Sequence, residues 1–504
     1  MAEPFKIKVY RYDLMVDEAP RFEEYNVDNY YEGMRVWRAL DNVNEKYRAN
    51  IAWRLSCREY QCGSCTILIN GKPKLACKTA VENGMVLEPL PYFPIVKDLL
   101  IDRDIVSSRY QKIKPWLLRE DDISRKEMKV HQSDVNVVRE MTDCFRCMAC
   151  ISVCPTVKGA WDTFIGPMFQ VNIAESAYNP LDTAKRVAEA FRYGLYNCTQ
   201  CGACREICPK KIDIPEKAIG QMRTIFAEEE DFNTIKKVVE SVKWNANPFG
   251  RENTKRKWAE GLNLPKAGSS LFFAGCLSSF EFGDTLRETI GLLRQVGKNV
   301  AYLAEDEICC HEPVLRLGGE GEFVKGGKDL LERFRAKGVE EVITGCSECF
   351  CCFKLHYPKY LPAETMPRFR HVTEVLWEGR DKLKKVQLKK KVRLTYHDPC
   401  RLGRDCGIYD IPRKLIESIG KVDFVEMDRS KEMAQCCGAG GGMKLSNPGL
   451  ALDVGRVRLD EAKKTGSSIL VSACPWCEWN FKEAIGEGNF LAVKNIVDLW
   501  AGNF

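Results

Sequence analysis

Short apolar runs in the second half of the chain each lead into a cysteine. Four such runs cover residues 271–274, 339–344, 392–396 and 469–472. Segments with the spacing of an amphipathic helix lie between them, for example residues 286–296 and 412–419. Short strands that alternate with helices predict two parallel α/β sheets. Because such sheets bind ligands at the carboxyl ends of their strands, these cysteines are candidate ligands of a cofactor.

Composition restricts what the cysteines can do. The chain has 504 residues, which is too long for one core, and it contains 25 cysteines. Residues 1–13 carry charges throughout and lack the apolar centre of a signal peptide. We therefore expect a cytoplasmic protein whose cysteines are metal ligands, not disulfides. No run approaches the roughly 18 apolar residues of a membrane span.

The net charge of +6 is spread along the chain, apart from a basic run at residues 384–391. We expect this run to be a solvated linker and not a nucleic-acid patch.

Four cysteines near the amino terminus have the spacing of a [2Fe-2S] site. Cys57, Cys62 and Cys65 form CxxxxCxxC, and Cys77 follows, which is the plant-type arrangement. The alternative is four reduced structural cysteines. A glycine at position 63 would let backbone amides approach the sulfides. Strand-like runs at residues 6–12 and 66–70, with the hairpin turn Asn70-Gly71, predict a β-grasp ferredoxin fold around this site.

Two copies of CxxCxxCxxxCP follow, which is the run of a bacterial two-cluster ferredoxin. The fourth cysteine of each copy ligates the cluster of the other copy. One predicted [4Fe-4S] ligand set is Cys144, Cys147, Cys150 and Cys208. The other is Cys198, Cys201, Cys204 and Cys154. Residues 181–196 carry helical spacing, so we expect a helical domain around these clusters.

The last ten predicted ligands form two copies of one unusual pattern, offset by about 125 residues. The first copy is Cys276, Cys309, Cys310, Cys346 and Cys349. The second copy is Cys400, Cys436, Cys437, Cys474 and Cys477. Five soft ligands per copy exceed the four of tetrahedral zinc, so iron–sulfur chemistry is the first hypothesis.

We therefore predict an α+β multidomain chain. Its domains are a β-grasp domain (1–105), a helical two-cluster domain (106–245) and two α/β domains (265–385 and 390–504).

Residues 1 to about 230 resemble the iron–sulfur subunits of succinate dehydrogenase and fumarate reductase. The resemblance rests on residues 56–59 (SCRE), 62–65 (CGSC) and 164–167 (FIGP). That family usually lacks a cysteine at the place of Cys201 and holds a three-iron cluster there, so this chain is expected to hold a four-iron cluster. Residues 156–158 (TVK) lack the family's Trp pair beside the quinone. Both departures argue against direct quinone reduction.

The two quintets resemble the CCG domain of heterodisulfide reductase catalytic subunits, whose non-cubane four-iron clusters cleave and form disulfides. The match is strongest in the second copy, at residues 397–404 (HDPCRLGR), 436–442 (CCGAGGG) and 474–477 (CPWC). In the first copy His311 replaces the glycine after the cysteine pair. Zinc or a structural cluster is the alternative at that site.

Several other residues are candidates near the quintets. His397 is a candidate proton carrier for thiols, or else a strand-end histidine bonded to backbone. The cations Arg316, Arg401, Arg404 and Lys444 either grip an anionic thiol substrate or play a structural role. Glycines 438–442 lack the order of a phosphate loop and are expected to let the chain wrap closely on a cluster. Cys351, Cys352 and Cys406 are expected to be free buried thiols, although Cys351 and Cys352 adjoin a ligand motif and could belong to the ligand count.

The combination of these parts resembles the thiol:fumarate reductases (CoM/CoB type) of methanogenic archaea. The resemblance implies a flavoprotein partner that carries FAD and reduces fumarate to succinate. This chain would oxidise coenzyme M and coenzyme B thiols to the heterodisulfide at the second quintet, with His397. Its cofactors would be one [2Fe-2S], two [4Fe-4S] and two non-cubane [4Fe-4S] clusters, which pass electrons to the flavin. The chain itself has no flavin or nicotinamide fingerprint.

Two other functions remain open from sequence. In one, the CCG domains exchange electrons with a quinone or another carrier. In the other, the chain is an electron-transfer scaffold without thiol chemistry of its own.

Overall fold

The computed structural model describes residues 5–119, 130–229, 233–253, 257–363, 366–486 and 491–502. The chain divides into two compact units. The first unit contains residues 1–195 and 203–222, and the second contains residues 196–202 and 223–504. None of the helices in the described ranges is long and apolar enough to cross a membrane.

The first unit begins with a mixed five-stranded sheet in the order β2-β1-β5-β3-β4. Its strands are β1 (Lys6–Arg11), β2 (Arg21–Asn26), β3 (Thr66–Ile69), β4 (Lys72–Leu75) and β5 (Met85–Glu88). The central pair β1 and β5 is parallel, and the other pairs are antiparallel. Helix α1 (Val36–Tyr47) contributes Leu40 and Val43 to the core shared with Ile7 and Val9. The sheet and helix confirm the predicted β-grasp ferredoxin fold.

A small hairpin, β6 (Ile95–Lys97) with β7 (Leu100–Ile101), leads from this sheet into helices. These helices are α2 (Asp104–Lys112), α3 (Gln132–Thr142), α4 (Ala149–Ser152), α5 (Pro155–Ala160), α6 (Pro167–Ala177), α7 (Arg186–Arg192) and α8 (Ala203–Ile207). The buried helix α6 packs against α3, α4 and α7. This arrangement confirms the predicted helical domain.

The helix predicted over residues 181–196 is shorter in the structure. It begins only at Arg186, and a 3-10 turn at Leu195–Asn197 follows. The carboxylate of Asp182 accepts from the backbone N–H of Ala184 and from the Arg186 guanidinium, which stabilises a turn in place of a first helical turn.

The second unit contains two parallel sheets. The first unit ends with a π-helical turn at Ile214–Gly220 and the start of α9 (Gln221–Glu229), and α10 (Asn233–Asn245) lies in the second unit. The first sheet has the order β10-β9-β8. Its strands and helices are β8 (Ser270–Phe273), α11 (Cys276–Glu281), α12 (Gly283–Gln295), α13 (Glu312–Arg316), α14 (Glu320–Ala336), β9 (Glu341–Thr344), α15 (Ser347–Cys351), α16 (Tyr357–Tyr360), β10 (Arg368–His371) and α17 (Val372–Glu378).

The second sheet has the order β12-β11-β13-β14, with every pair parallel. Its strands and helices are β11 (Gln387–His397), α18 (Asp410–Glu417), β12 (Gly420–Phe424), α19 (Met443–Ser446), α20 (Pro448–Lys464), β13 (Ile469–Ser472), α21 (Pro475–Ile485), β14 (Ala492–Asn495) and α22 (Ile496–Trp500). Residues of both sheets, including Ile343, Leu394 and Val471, belong to one apolar core.

The four apolar runs that precede cysteines are β8, β9, β11 and β13, which confirms the parallel α/β prediction. The expectation for the basic run was wrong in part. Lys389, Lys390 and Lys391 are exposed, but they form the first half of β11 and not a linker. A strand with an exposed first half tolerates lysines because their charged ends remain in water.

Candidate functional site

The amino-terminal cysteines lie on the loop between α1 and β3, with Cys77 just after β4. Backbone N–H groups of Gln61 and Cys62 donate to Cys57 Sγ at 3.3 and 3.4 Å. Burial opposes ionisation of Cys62, but hydrogen bonds from Ser64 and Cys57 lower its pKa to about 6. Backbone amides turned toward thiolate sulfurs are what a [2Fe-2S] cluster requires. The loop therefore fits the predicted cofactor.

Gly63 has an additional role that the sequence did not reveal. Its φ is +65°, and a Cβ atom there would lie 2.4 Å from the Phe145 ring and 2.8 Å from Cys147 Cβ. Only glycine permits this approach. The predicted [2Fe-2S] loop thus touches the first cysteine motif of the helical domain.

The predicted ligands of the first cubane line one cavity. Cys144, Cys147, Cys150 and Cys208 surround it, together with Met148 and Met168. Burial raises the pKa of Cys150, and the nearby Cys144, Cys147, Cys204 and Cys208 thiols raise it further. Cys208 comes from the second CxxCxxCxxxCP run, so the exchange of fourth ligands fits the geometry. These residues suit a [4Fe-4S] cluster.

The second predicted cubane set is divided between the two units. Cys154 and Cys204 belong to the first unit, and Cys198 and Cys201 belong to the second. This ligand set stays a prediction. Within the second unit, the backbone N–H of Gln200 donates to Cys198 Sγ at 3.2 Å.

Two buried arginines hold the Cys198–Cys201 segment within the second unit. Arg223 donates to the carbonyl oxygens of Cys198, Arg316 and Gly441 at 2.6–2.8 Å. Arg404 donates to the carbonyl oxygen of Cys201 at 2.7 Å. Cys201 itself lies beside Cys436 of the second quintet. Guanidinium groups at this position would balance the negative charge of thiolates if the predicted cluster binds here.

The first quintet is assembled from β8, β9 and the loop before α13. Cys309 lies beside Cys276 and Cys310, and Cys349 lies beside Cys310 and Cys346. His311 takes a left-handed backbone (φ +63°), and its N–H donates to Cys309 Sγ at 3.3 Å. In the second copy Gly438 (φ +98°) donates in the same way to Cys436 Sγ at 3.4 Å. The replacement of glycine by histidine therefore preserves the local geometry.

The second quintet follows β11 and β13 in the same manner. Cys436 lies beside Cys400 and Cys437, and Cys477 lies beside Cys437 and Cys474. The neighbouring Cys436 and Cys477 thiols lower the pKa of Cys437, and His397 adds to this effect. The cysteines of both quintets are buried, so each site is protected from water.

The two quintets also touch each other. Cys346 of the first copy lies beside Cys474 of the second. The adjacent Ser347 hydroxyl donates to the carbonyl oxygen of Ala473 at 2.7 Å, which joins the cysteine loops after β9 and β13. The two cysteine quintets thus share one buried boundary within the second unit.

His397 lies at the end of β11 and is fully buried. The Arg458 Nε–H donates to His397 Nδ1 at 3.3 Å. One ring nitrogen and the sulfurs of Cys437 and Cys477 lie within 4.8 Å of one another. Burial lowers the pKa of His397. His397 therefore lies beside the second quintet, and its role as a proton carrier stays a prediction.

The four candidate cations have partners inside the protein. Arg316 pairs with Glu312, Arg401 with Asp405, and Lys444 with Glu483. Arg404 donates to backbone carbonyls, as described above. These contacts support the structural interpretation of each cation.

Glycines 438–442 accommodate other parts of the chain. A Cβ at Gly438 would lie 2.2 Å from the Ala451 carbonyl oxygen. A Cβ at Gly441 would lie 2.5 Å from the Thr199 carbonyl carbon, and one at Gly442 would lie 2.6 Å from Leu317. The segment thus wraps closely on protein around the second quintet.

The remaining thiols are distributed around the quintets. Cys351 lies beside Cys406. Cys352 lies beside Cys310 and donates to its carbonyl oxygen at 3.3 Å. Cys352, Glu312 and His356 bring their ligand atoms within 4.8 Å of one another, but Arg316 bonds to both Glu312 and His356. That group is therefore a hydrogen-bonded network.

Sequence reasoning missed several charged residues that the structure places away from water. Among those near the quintets, Arg223 and Arg458 are fully buried, and Glu348 is partly buried, with its pKa raised by burial to about 8. Glu348 stands between Cys346 and Cys349, so its closeness to a motif was the only signal. The two arginines lie in helices and carry no pattern of their own.

Known families match most of the chain. Residues 6–108 match a 2Fe-2S iron-sulfur cluster binding domain, and residues 140–212 match a 4Fe-4S dicluster domain. Residues 270–354 and 394–482 match a cysteine-rich domain. These matches support the binding of both cluster types in the first half.

Relatives resemble all or most of the chain. The fumarate reductase (CoM/CoB) B subunit of Methanothermobacter marburgensis is 33% identical over 98% of both chains. The dihydromethanophenazine:CoB--CoM heterodisulfide reductase D subunit of Methanosarcina barkeri is 28% identical over 72% of this chain and 93% of its own. A hypothetical protein from Helicobacter pylori has a similar fold, with a TM-score of 0.65 at 12% identity over 99% of this chain and 94% of its own.

Proposed function

Because the chain belongs to the family of CoM/CoB fumarate reductase B subunits, as an iron–sulfur component of an oxidoreductase complex, we propose that it oxidises coenzyme M and coenzyme B thiols. The products would be the heterodisulfide, two protons and two electrons. The electrons would reduce fumarate to succinate on an FAD-containing partner subunit. The observation that carries this proposal is the shared boundary of the two quintets at Cys346 and Cys474.

The proposed ligands follow the cysteine patterns. Cys57, Cys62, Cys65 and Cys77 would hold the [2Fe-2S] cluster. Cys144, Cys147, Cys150 and Cys208 would hold one [4Fe-4S] cluster, and Cys198, Cys201, Cys204 and Cys154 the other. Each quintet would hold a non-cubane cluster. When bound, these clusters would supply one-electron carriers between the thiols and the flavin.

Disulfide formation requires two sulfur atoms close together, and each must lose one electron. Two adjacent sites of the same ligand type provide one place for each sulfur. The contact of Cys346 with Cys474 and the Ser347–Ala473 hydrogen bond hold the two sites at a fixed separation. Fixed proximity lowers the entropic cost of joining two substrates.

The protein around the quintets contributes a dry and polar environment. Buried cysteines exclude water, so bound thiolates are not solvated and interact strongly with nearby charges. His397 would donate a hydrogen bond to sulfur at the second quintet. Arg401 lies against Glu348 of the first copy and Asp405 of the second, and so stabilises negative charge at the boundary.

The proposal is tested with two single variants of the intact complex, Cys437→Ser and Cys474→Ser. Both should oxidise the thiols at least about 100-fold more slowly, since the second quintet loses one of its ligands and can no longer hold its cluster. Dye-driven fumarate reduction and the [2Fe-2S] signal should remain. Cys406→Ser, outside the predicted ligand sets, is the matched control and should retain thiol oxidation.

Wild-type rates of thiol oxidation in both serine variants would contradict the proposal. That result would favour an electron-transfer scaffold, in which the quintets only dock another redox protein.

A further inference from the structure

The two CCG copies have the same five cysteines but differ at the end of the strand before them. Three residues before Cys400 is His397, and three residues before Cys276 is Phe273. Phe273 packs edge-on against Phe334 and Phe353 and offers no polar hydrogen. His397 stands edge-on to Phe481, with ring centroids 4.9 Å apart. Only the second copy therefore has an imidazole at this place.

The hydrogen position on His397 follows from its partner. A guanidinium group only donates hydrogen bonds. Because Arg458 Nε donates to His397 Nδ1 at 3.3 Å, Nδ1 is the acceptor and carries no hydrogen. With Nδ1 occupied as an acceptor, the imidazole carries its hydrogen on Nε2.

Nε2 has no hydrogen-bond partner among the described residues, although the ring is fully buried. One ring nitrogen of His397 and the sulfurs of Cys437 and Cys477 lie within 4.8 Å of one another, and the Cys437 thiol interacts with the ring. A buried donor without a partner is costly, so an acceptor is expected on this side. Thiolate sulfur of a bound cluster would satisfy it.

Arg458 is itself held firmly. Its Nη1 donates to the carbonyl oxygen of Arg429 at 2.8 Å, and its guanidinium pairs with Glu461. Glu461 also pairs with Arg429 at 2.7 Å. The arginine is fully buried, so it has little freedom to release His397.

We propose that Arg458 is a positioning residue that locks His397 with Nε2–H directed at the Cys437 sulfur, which makes the second CCG cluster the more easily reduced of the two. An N–H···S hydrogen bond stabilises the added negative charge of the reduced state, so it raises the reduction potential. The inference rests on the proposed function, since it requires a cluster at the second quintet.

The asymmetry gives electrons a direction. They collect at the second copy, whose Cys436 lies beside Cys201 of the ferredoxin motif. The first copy would then bind a thiol, but electrons would leave the pair of sites through the second copy.

The test is a redox titration of the full holoprotein in which electron paramagnetic resonance monitors the cluster signals. His397→Phe, which copies Phe273, and Arg458→Met should both lower the midpoint potential of the cluster signal that Cys474→Ser abolishes. Arg458→Gln retains an N–H donor toward Nδ1 and should restore most of the wild-type potential. Arg456→Met, in an exposed ion pair on the same helix, is the matched control and should leave the potential unchanged.

The double variant His397→Phe/Arg458→Met shows whether Arg458 acts by positioning His397 or by the direct effect of its positive charge on the cluster. Its potential should equal that of His397→Phe alone, because the arginine acts through the histidine. Equal, additive decreases from the two single changes would overturn the inference.

A spectroscopic measurement keeps the inference testable if a variant binds less iron. Histidine labelled with ¹⁵N should give a weak nitrogen coupling to the second cluster, which is lost in His397→Phe. A strong coupling, typical of an iron–nitrogen bond, would overturn the inference. Absence of any cluster signal that depends on Cys474 would instead contradict the proposed function.

Discussion

Arg404 Nε donates a hydrogen bond to the carbonyl oxygen of Cys201 at 2.7 Å, across 203 positions of the chain. The same guanidinium donates from Nη1 to the carbonyl oxygen of Ala434, just before the Cys436–Cys437 pair. One buried side chain therefore holds a ferredoxin cysteine and a CCG cysteine loop together. The π-helical turn Arg401–Asp405, directly after Cys400, places it there.

Replacing Arg404 by glutamine should destabilise the second unit. Two charge-assisted hydrogen bonds to buried carbonyl groups are lost, at a cost of about 2–4 kcal/mol in the free energy of unfolding. Anaerobic urea unfolding, followed by tryptophan fluorescence, measures the change. The control is Arg393→Gln, which breaks an exposed ion pair with Asp423 and should cost less than about 1 kcal/mol. Equal unfolding midpoints for the two variants would contradict this role.

Gly438→Ala should prevent the second quintet from forming. Besides the unfavourable φ of +98°, the new Cβ would lie 2.2 Å from the Ala451 carbonyl oxygen. Gly407→Ala is the matched control, because its φ is +74° but nothing lies within 4 Å of the new Cβ. The control should lose about 1 kcal/mol from backbone strain alone. Gly438→Ala should lose several times more and bind less iron, as measured by metal analysis; similar losses in both would disprove the steric argument.

Cys201→Val should convert the second cubane into a three-iron cluster. The family of succinate dehydrogenase iron–sulfur subunits, which the first half resembles, usually lacks this cysteine and holds a three-iron cluster. The oxidised variant should give a three-iron paramagnetic resonance signal that wild type lacks, and about one iron atom fewer per chain. Unchanged iron content without the new signal would show that Cys201 is not a ligand.

His371 should make stability depend on pH. The residue caps α17 with its ring and is fully buried, and burial lowers its pKa from 6.5 to about 4. Because the folded pKa is depressed, its contribution to stability is present above pH 6.5 and is lost as the pH falls toward 4. The loss should reach about 1–1.5 kcal/mol near pH 5.5.

His371→Asn removes this titration but retains a good helix cap. The free energy of unfolding of the variant should therefore fall less than that of wild type between about pH 7.5 and pH 5.5. Parallel pH profiles for the two proteins would show that His371 is not buried as a neutral group.

Local patterns in the sequence predicted the ligands and the strands. The run at residues 469–472 is β13, and the spacing of the ferredoxin runs predicted the exchange that brings Cys208 to Cys144. The charge pattern was a poorer guide to secondary structure. Lysines 389–391 suggested a linker, but they lie in β11, whose first half is exposed to solvent. The replacement of glycine by His311 suggested that the first quintet would differ from the second. The left-handed backbone of His311 and its hydrogen bond to Cys309 Sγ show instead that the local geometry is the same.

Long-range partners could not be predicted. Arg458 and His397 are 61 positions apart, and nothing in a helix sequence marks one arginine as the donor to a distant histidine. The contact of Cys346 with Cys474 likewise depends on how the two α/β domains pack on their shared core. Such contacts arise from tertiary structure and leave no periodic signal.

The most direct test is to purify the protein anaerobically with its co-purifying partner and assay fumarate reduction with coenzyme M and coenzyme B as the only reductants. The account predicts that succinate forms and that the yield of heterodisulfide equals it. Fumarate reduction with viologen dyes or quinols, but none with the two thiols, would contradict the account.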